Sequence, residues 1–79
     1  MTIRYEGQVA TENEGYRLAI IGYNEEKEEQ KVNKMIKWLV NEKGWTFAYG
    51  EEEEACFRVY DKDDYRDFVA DYKVAKKMA

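Results

Sequence analysis

NEEKEEQKVNKMIKWLVNEKG, the sequence from Asn24 to Gly44, predicts one long amphipathic helix around which the rest of the chain is organised. Its apolar residues recur at the spacing of a single helical face: Val32, Met35, Ile36, Leu39 and Val40. Asn24 should cap the start, because its side-chain oxygen can accept from an unpaired backbone N–H of the first turn. Gly44 should end the helix, because glycine adopts the left-handed terminal conformation without a Cβ penalty. Trp38 lies at the edge of the stripe, either as a rim contact of the core or as an exposed anchor for a partner.

Polar and apolar residues alternate in four short segments, which predicts four strands. The segments are residues 3–9, 16–23, 45–49 and 56–60. Turn residues at 11–15 and 50–54 should join them as two hairpins. Residues 18–21 are all apolar, so both faces of the second strand should be buried, as in the centre of a sheet.

A second amphipathic helix is predicted to begin at Asp61, which forms a capping-box-like pair with Asp64. Its apolar stripe consists of Tyr65, Phe68, Val69, Tyr72 and Ala75. The order is therefore ββαββα. It predicts an α+β fold, a two-layer sandwich in which a four-stranded, mainly antiparallel sheet carries both helices on one face. Residues 1–79 should form a single domain, and the order of the strands in the sheet is left open.

The residue types of the chain argue against catalysis. Histidine and serine are absent, so a Ser–His, Cys–His or histidine-based metal constellation cannot form within the chain. Asp61, Asp63 and Asp64 begin like a calcium loop, but Tyr72 stands where the loop requires a bidentate glutamate. Cys56 is expected to be a small buried apolar residue. We therefore expect no enzyme, no cofactor and no metal site.

Composition also sets expectations for location and partners. The alternating N-terminus does not have the pattern of a signal peptide, and no run is long and apolar enough for a membrane span. A single cysteine allows no intramolecular disulfide, so a soluble protein of the reducing cytoplasm is expected. The net charge of −4 disfavours binding to nucleic acid or to an acidic membrane.

The connectivity predicts that two runs of glutamate come together. The second strand should end where the long helix begins, and the turn between the third and fourth strands should lie at that same end of the sheet. Eight residues would meet there: Glu25, Glu26, Glu28, Glu29, Glu51, Glu52, Glu53 and Glu54. Such a cluster has two interpretations. It either keeps the domain soluble or docks on a basic protein partner. On such a partner it could occupy a nucleic-acid site by presenting negative charge in place of phosphates. We expect a non-catalytic inhibitor or adaptor.

A competing constellation combines arginine with tyrosine. We expect three arginines and two tyrosines to share the face of the sheet without helices: Arg4, Arg17, Arg58, Tyr23 and Tyr60. Such residues can stack and clamp single-stranded nucleic acid, or simply shield the sheet from water. A third hypothesis is a structural or homo-oligomeric protein that associates through this face, with Ile21 as its apolar centre.

In size, acidity, aromatic content and lack of catalytic residue types, the chain resembles the small accessory proteins of bacterial viruses, including inhibitors of host nucleic-acid enzymes. The resemblance is one of composition and covers no motif, so it assigns no functional residue. It implies a small protein that acts by binding.

Overall fold

The six predicted elements are present in the predicted order in a computed structural model, which describes residues 1–7 and 17–79. They are β1 (Thr2–Glu6), β2 (Arg17–Gly22), α1 (Glu25–Asn41), β3 (Thr46–Glu51), β4 (Glu54–Val59) and α2 (Lys62–Met78). The predicted turn at 11–15 and the strand positions Val9 and Tyr16 lie outside the described residues. The α+β class and the ββαββα order are confirmed.

The strands of the described residues form one antiparallel sheet in the order β1-β2-β4-β3. The two hairpins associate through β2 and β4, which occupy its centre. The predicted central position of β2 is confirmed, because Leu18, Ala19, Ile20 and Ile21 are all buried. β1 and β3 form the edges. This order, which the sequence had left open, decides which side chains remain accessible.

Both helices pack on the same face of the sheet, as predicted. Their buried residues are Val32, Met35 and Leu39 in α1 and Phe68, Tyr72 and Ala75 in α2. These residues contact Ala19, Ile21, Ala55, Phe57 and Val59 of the two central strands. The ring centroids of Phe57 and Phe68 are 4.8 Å apart at the centre of this layer. Burial of a phenylalanine side chain of this kind contributes about 1.5–3 kcal/mol.

The ends of α1 follow the local sequence. Asn24 Oδ1 accepts from the backbone N–H of Lys27 at 3.2 Å, while the N–H of Asn24 donates to Glu28 Oε1 at 3.0 Å. The predicted cap is thus confirmed and is reciprocated by Glu28. Regular helix ends at Asn41, and the chain reverses at Gly44, whose φ is +74°. Glycine suits this position because an L side chain there would be strained.

The start of α2 confirms the predicted pair of aspartates. Asp61 Oδ1 accepts from the N–H of Asp64 at 2.9 Å. Asp64 Oδ2 in turn accepts from the N–H of Tyr60 at 2.8 Å, one residue before the cap. These carboxylates therefore satisfy backbone donors at the positive end of a helix dipole.

The face of the sheet away from the helices has an apolar row of its own. Leu18, Ile20 and Cys56 are buried there, and Ala48 packs against them. The predicted burial of Cys56 is confirmed. The prediction for Ile21 was wrong, because Ile21 is fully buried in the layer beneath the helices. Alternation along β2 then puts Ile20, its neighbour, on the face away from the helices.

Candidate functional site

The two glutamate runs meet at one end of the sheet. The backbone N–H of Tyr23 donates to the carbonyl oxygen of Glu53 at 3.0 Å. The N–H of Glu53 donates to Glu25 Oε1 at 3.2 Å. The turn between β3 and β4 is therefore fastened to the first turn of α1, and the predicted proximity of the two runs is confirmed. We call the surface formed by residues Glu25, Glu26, Glu28, Glu29 and Glu51 to Glu54 the acidic end.

Strand pairing explains this meeting. Gly22, the last residue of β2, lies opposite Glu54, the first residue of β4. The helix that follows β2 and the turn that precedes β4 must then share one end of the sheet. Glu51 pairs with Glu54 to close the turn, and Glu53 takes the left-handed conformation with φ of 63°. That conformation is uncommon for a residue other than glycine and costs of order 1–3 kcal/mol.

Most of the charge at the acidic end faces water. Six of the eight glutamates are exposed, whereas Glu28 and Glu54 are half-buried. Each of these two contacts a cation. The Met1 α-amino group lies 3.6 Å from Glu28 Oε1, and a terminal guanidinium nitrogen of Arg4 lies 2.8 Å from Glu54 Oε2. The exposed six are Glu25, Glu26, Glu29, Glu51, Glu52 and Glu53.

A shallow cleft of about 490 Å³ lies between these groups. Its lining is mostly polar and carries both signs of charge, since it includes Arg4 as well as Glu52 and Glu53. Tyr23 also borders it. The cleft is wide and solvated, so it has the character of a docking surface more than of an enclosed ligand pocket.

The pKa values of Tyr23 and Glu28 reflect the charges and hydrogen bonds around these two side chains. Burial raises the pKa of the Tyr23 hydroxyl, and the negative charges of Glu25, Glu29 and Glu53 raise it further. The hydrogen bond from the Asn24 backbone lowers the pKa of Glu28, and the Met1 α-amino group adds to this effect. The surroundings of Tyr23 are thus negative, whereas Glu28 stays ionised because it has its own donors.

The arginine and tyrosine residues do not form the single surface that was predicted. Arg4 lies opposite Ile20 and Arg58 lies opposite Leu18, so both belong to the face away from the helices. Tyr23 instead packs against the core beneath the helices. This part of the prediction was wrong because the register between β2 and β4 sets Leu18, and not Arg17, opposite Arg58, so Arg17 and Arg58 lie on opposite faces of the sheet.

Of the other two residues of that set, Arg17 is separated from Arg58, whereas Tyr60 lines a cleft together with Arg58. Arg17 lies opposite Val59, in the register of the helix-covered face. Tyr60 follows the end of β4 and is 84% exposed. Arg4 is occupied by its ion pair with Glu54. The five residues of the predicted nucleic-acid face therefore do not form one surface: Arg58 and Tyr60 border one cleft, whereas Arg4 and Tyr23 border the cleft at the acidic end.

Sequence reasoning missed the exposure of β3. Phe47 and Tyr49 alternate as buried strand residues would, yet they are 38% and 43% exposed because β3 is an edge strand. Trp38 is half-buried against the core, and Lys43 Nζ lies 5.4 Å from the centroid of its ring. Trp38 is therefore placed as a rim residue of the core.

Within residues 1–7 and 17–79, no three cysteine or carboxylate side chains converge closely enough to hold a metal ion. Of the two helices in this described part, neither combines the length and the apolar character needed to cross a membrane. Comparisons with protein-family models, with curated proteins and with solved structures find no match for this chain.

Proposed function

We propose that the protein acts by binding, as an inhibitor or adaptor that docks its acidic end on a basic surface of a macromolecular partner. The observation that carries the proposal is the contact between Glu53 and Glu25, which joins two separate glutamate runs into one surface. Six exposed carboxylates within this small area create a strong local negative potential.

The chemistry of the acidic end suits a cationic protein site, in particular one that otherwise holds the phosphates of a nucleic acid. Carboxylates can replace phosphates as acceptors for arginine and lysine donors. Electrostatic attraction of this kind raises the rate of association and gives a steep dependence on salt. The turn is also held by two hydrogen bonds, one from the backbone of Tyr23 and one to the side chain of Glu25, so little conformational entropy is lost when it binds.

A first test maps the binding surface with a defined probe. Titration of the ¹⁵N-labelled protein with an oligo-arginine peptide should shift the amide resonances of residues 25–29 and 51–54 at low salt. The shifts should disappear as salt is added, because exposed charges are screened. Shifts confined to another part of the chain would reject the acidic end as the docking surface.

A second test uses variants with the same change of charge. The triple variant Glu51→Gln, Glu52→Gln, Glu53→Gln removes three charges from the acidic end. Its matched control, Glu42→Gln, Asp63→Asn, Asp67→Asn, removes three exposed charges elsewhere. A partner identified by affinity capture and mass spectrometry should bind the first variant at least about tenfold more weakly at low salt, while the control binds nearly as the wild type does. Equal affinities of the two triple variants would contradict the proposal.

A further inference from the structure

The β3 edge of the sheet has a bulge between Phe47 and Tyr49, but the strand has no proline and no charged residue before its last position. Among the described residues β3 pairs with β4 alone, so its other side presents backbone N–H and C=O groups. Edge strands are normally protected by charged residues or proline. β3 reads TFAYGE and carries no charge before Glu51, whereas the opposite edge, β1, has Arg4 and Glu6.

Exposed aromatic residues gather along this edge. Phe47 lies opposite Phe57 and is 38% exposed, and Tyr49 lies opposite Cys56 and is 43% exposed. The two side chains therefore lie on opposite faces of the sheet, one on each side of the strand. Tyr60, 84% exposed, lies just beyond the neighbouring strand. The edge therefore presents partly exposed aromatic side chains on both faces of the sheet.

The two ends of β3 carry opposite charge. Before its start, Lys43 and Arg58 border an open cleft of about 370 Å³ that also includes Thr46 and Tyr60. Asp64 lies in this cleft too, and its carboxylate accepts the N–H of Tyr60 at 2.8 Å, so the cleft has two cationic side chains and one carboxylate. At the far end of the strand lie Glu51 and the exposed Glu52. The charges before β3 thus sum to a positive value, and the other end of the strand is acidic.

We infer that β3 is a self-association surface on which a second copy of this chain pairs antiparallel, edge to edge. A two-fold axis near Ala48 and Tyr49 brings Glu52 of each copy to the Lys43 and Arg58 cleft of the other. The same patch serves both copies, as a two-fold contact requires. Backbone pairing extends the sheet, and the charged ends fix the antiparallel direction.

The geometry of β3 also sets the strength of the contact. The strand has six residues, and its pairing with β4 is irregular between Phe47 and Tyr49. A bulge of this kind bends the strand and shortens the segment that can pair. The interface is therefore small, and we expect a dissociation constant of roughly 10 μM to 1 mM. This inference does not depend on the proposed function.

Sedimentation equilibrium of the pure protein tests the inference. The mass should rise with concentration from 9.4 kDa towards twice that value, and the rise should be smaller at high salt. Tyr49→Lys should weaken association at least about tenfold, because it places two cations close together across the axis. Val74→Lys, at a similarly exposed site on α2, is the control and should associate as the wild type does. A constant mass of 9.4 kDa at low salt up to about 1 mM would overturn the inference.

Charge reversal tests the orientation with two substitutions at exposed positions. Lys43→Glu and Glu52→Lys should each weaken self-association, because each homodimer would place like charges together. An equimolar mixture of the two variants should associate again, because both contacts of the mixed dimer then join opposite charges. A mixture that stays monomeric while the wild type dimerises would overturn the antiparallel arrangement. Such an outcome leaves the acidic-end proposal intact, because the oligo-arginine titration reads peptide binding at residues 25–29 and 51–54 and does not depend on the direction of strand pairing.

Discussion

The backbone N–H of Glu53 donates to a side-chain oxygen of Glu25 at 3.2 Å, although 28 residues separate the two. A glutamate of the β3–β4 turn is thereby held by a glutamate at the start of α1. The bond is made by a backbone donor, which offsets part of the repulsion between neighbouring carboxylates. The turn also adopts a conformation that its sequence does not favour, because φ of Glu53 is 63°.

The strain at Glu53 predicts that a glycine is preferred there. We expect Glu53→Gly to raise the free energy of unfolding by up to about 1 kcal/mol, since glycine has no Cβ penalty at positive φ and keeps both backbone hydrogen bonds. Glu52→Gly is the matched control, because Glu52 belongs to the same turn and has an ordinary φ. It should lower stability by roughly 0.5–1 kcal/mol through the entropy of the unfolded chain. Urea denaturation of both variants measures this difference in the free energy of unfolding. A Glu53→Gly variant less stable than the wild type would contradict the conclusion that the backbone at Glu53 is strained.

Trp45 lies in the segment between α1 and β3, and its indole contacts α2. Its Nε1 donates to Asp71 Oδ2 at 2.8 Å, and its ring packs edge-on against Phe68 at 5.0 Å. We expect Trp45→Phe to cost about 1–3 kcal/mol, because the half-buried Asp71 carboxylate loses a charge-assisted donor. In a double-mutant cycle, Trp45→Phe and Asp71→Ala should be non-additive by about 1 kcal/mol or more. Additive losses in guanidinium denaturation would show that the hydrogen bond contributes nothing.

The lowered pKa of Glu28 predicts part of the acid sensitivity of the fold. A carboxyl whose folded pKa lies below its ordinary 4.5 adds stability at higher pH and loses that contribution as pH falls through the folded pKa. Glu28→Gln should therefore show a shallower decline of unfolding free energy below about pH 4.5 than the wild type. Glu26→Gln, which removes one carboxylate at an exposed position of the same turn, is the matched control. Parallel declines for all three proteins would contradict the role of Glu28.

The raised pKa of Tyr23 provides a probe of the acidic end. Since its folded pKa exceeds the ordinary 10.0, its contribution to stability is complete below that value and is lost as pH rises through the folded pKa. Ultraviolet titration of the wild type against Tyr23→Phe isolates this hydroxyl from the other tyrosines. Glu25→Gln should lower the Tyr23 pKa but not restore it fully, because burial is the larger cause. Glu42→Gln, near the other end of α1, should leave the titration of Tyr23 unchanged.

Features decided by neighbouring residues were predictable from the sequence. The Asn24 cap, the paired aspartates at 61 and 64, and the reversal at Gly44 each depend on a few consecutive residues. The meeting of the glutamate runs was also predictable, since in a ββαββα chain the direction of each strand fixes the end at which each connection lies. Whether those glutamates bind a partner stays a prediction.

Features decided by strand order were not predictable. Ile20 and Ile21 are equally apolar, so nothing in β2 shows which of them the helices cover. Phe47 and Tyr49 alternate with their neighbours in the sequence as buried strand residues do. They are partly exposed because β3 is an edge strand that pairs with β4 on one side only. Each of these outcomes depends on contacts between distant segments, which local patterns do not record.

The burial of Cys56 on the central strand β4 makes the thiol a reporter of how the sheet opens. It is the only cysteine of the chain and is 1% exposed, and burial raises its pKa. An alkylating reagent can reach it only in molecules where β4 has separated from its neighbours and the thiolate can form. The labelling rate of the folded protein, divided by the labelling rate of the unfolded chain, therefore gives the fraction of molecules in which the centre of the sheet is open.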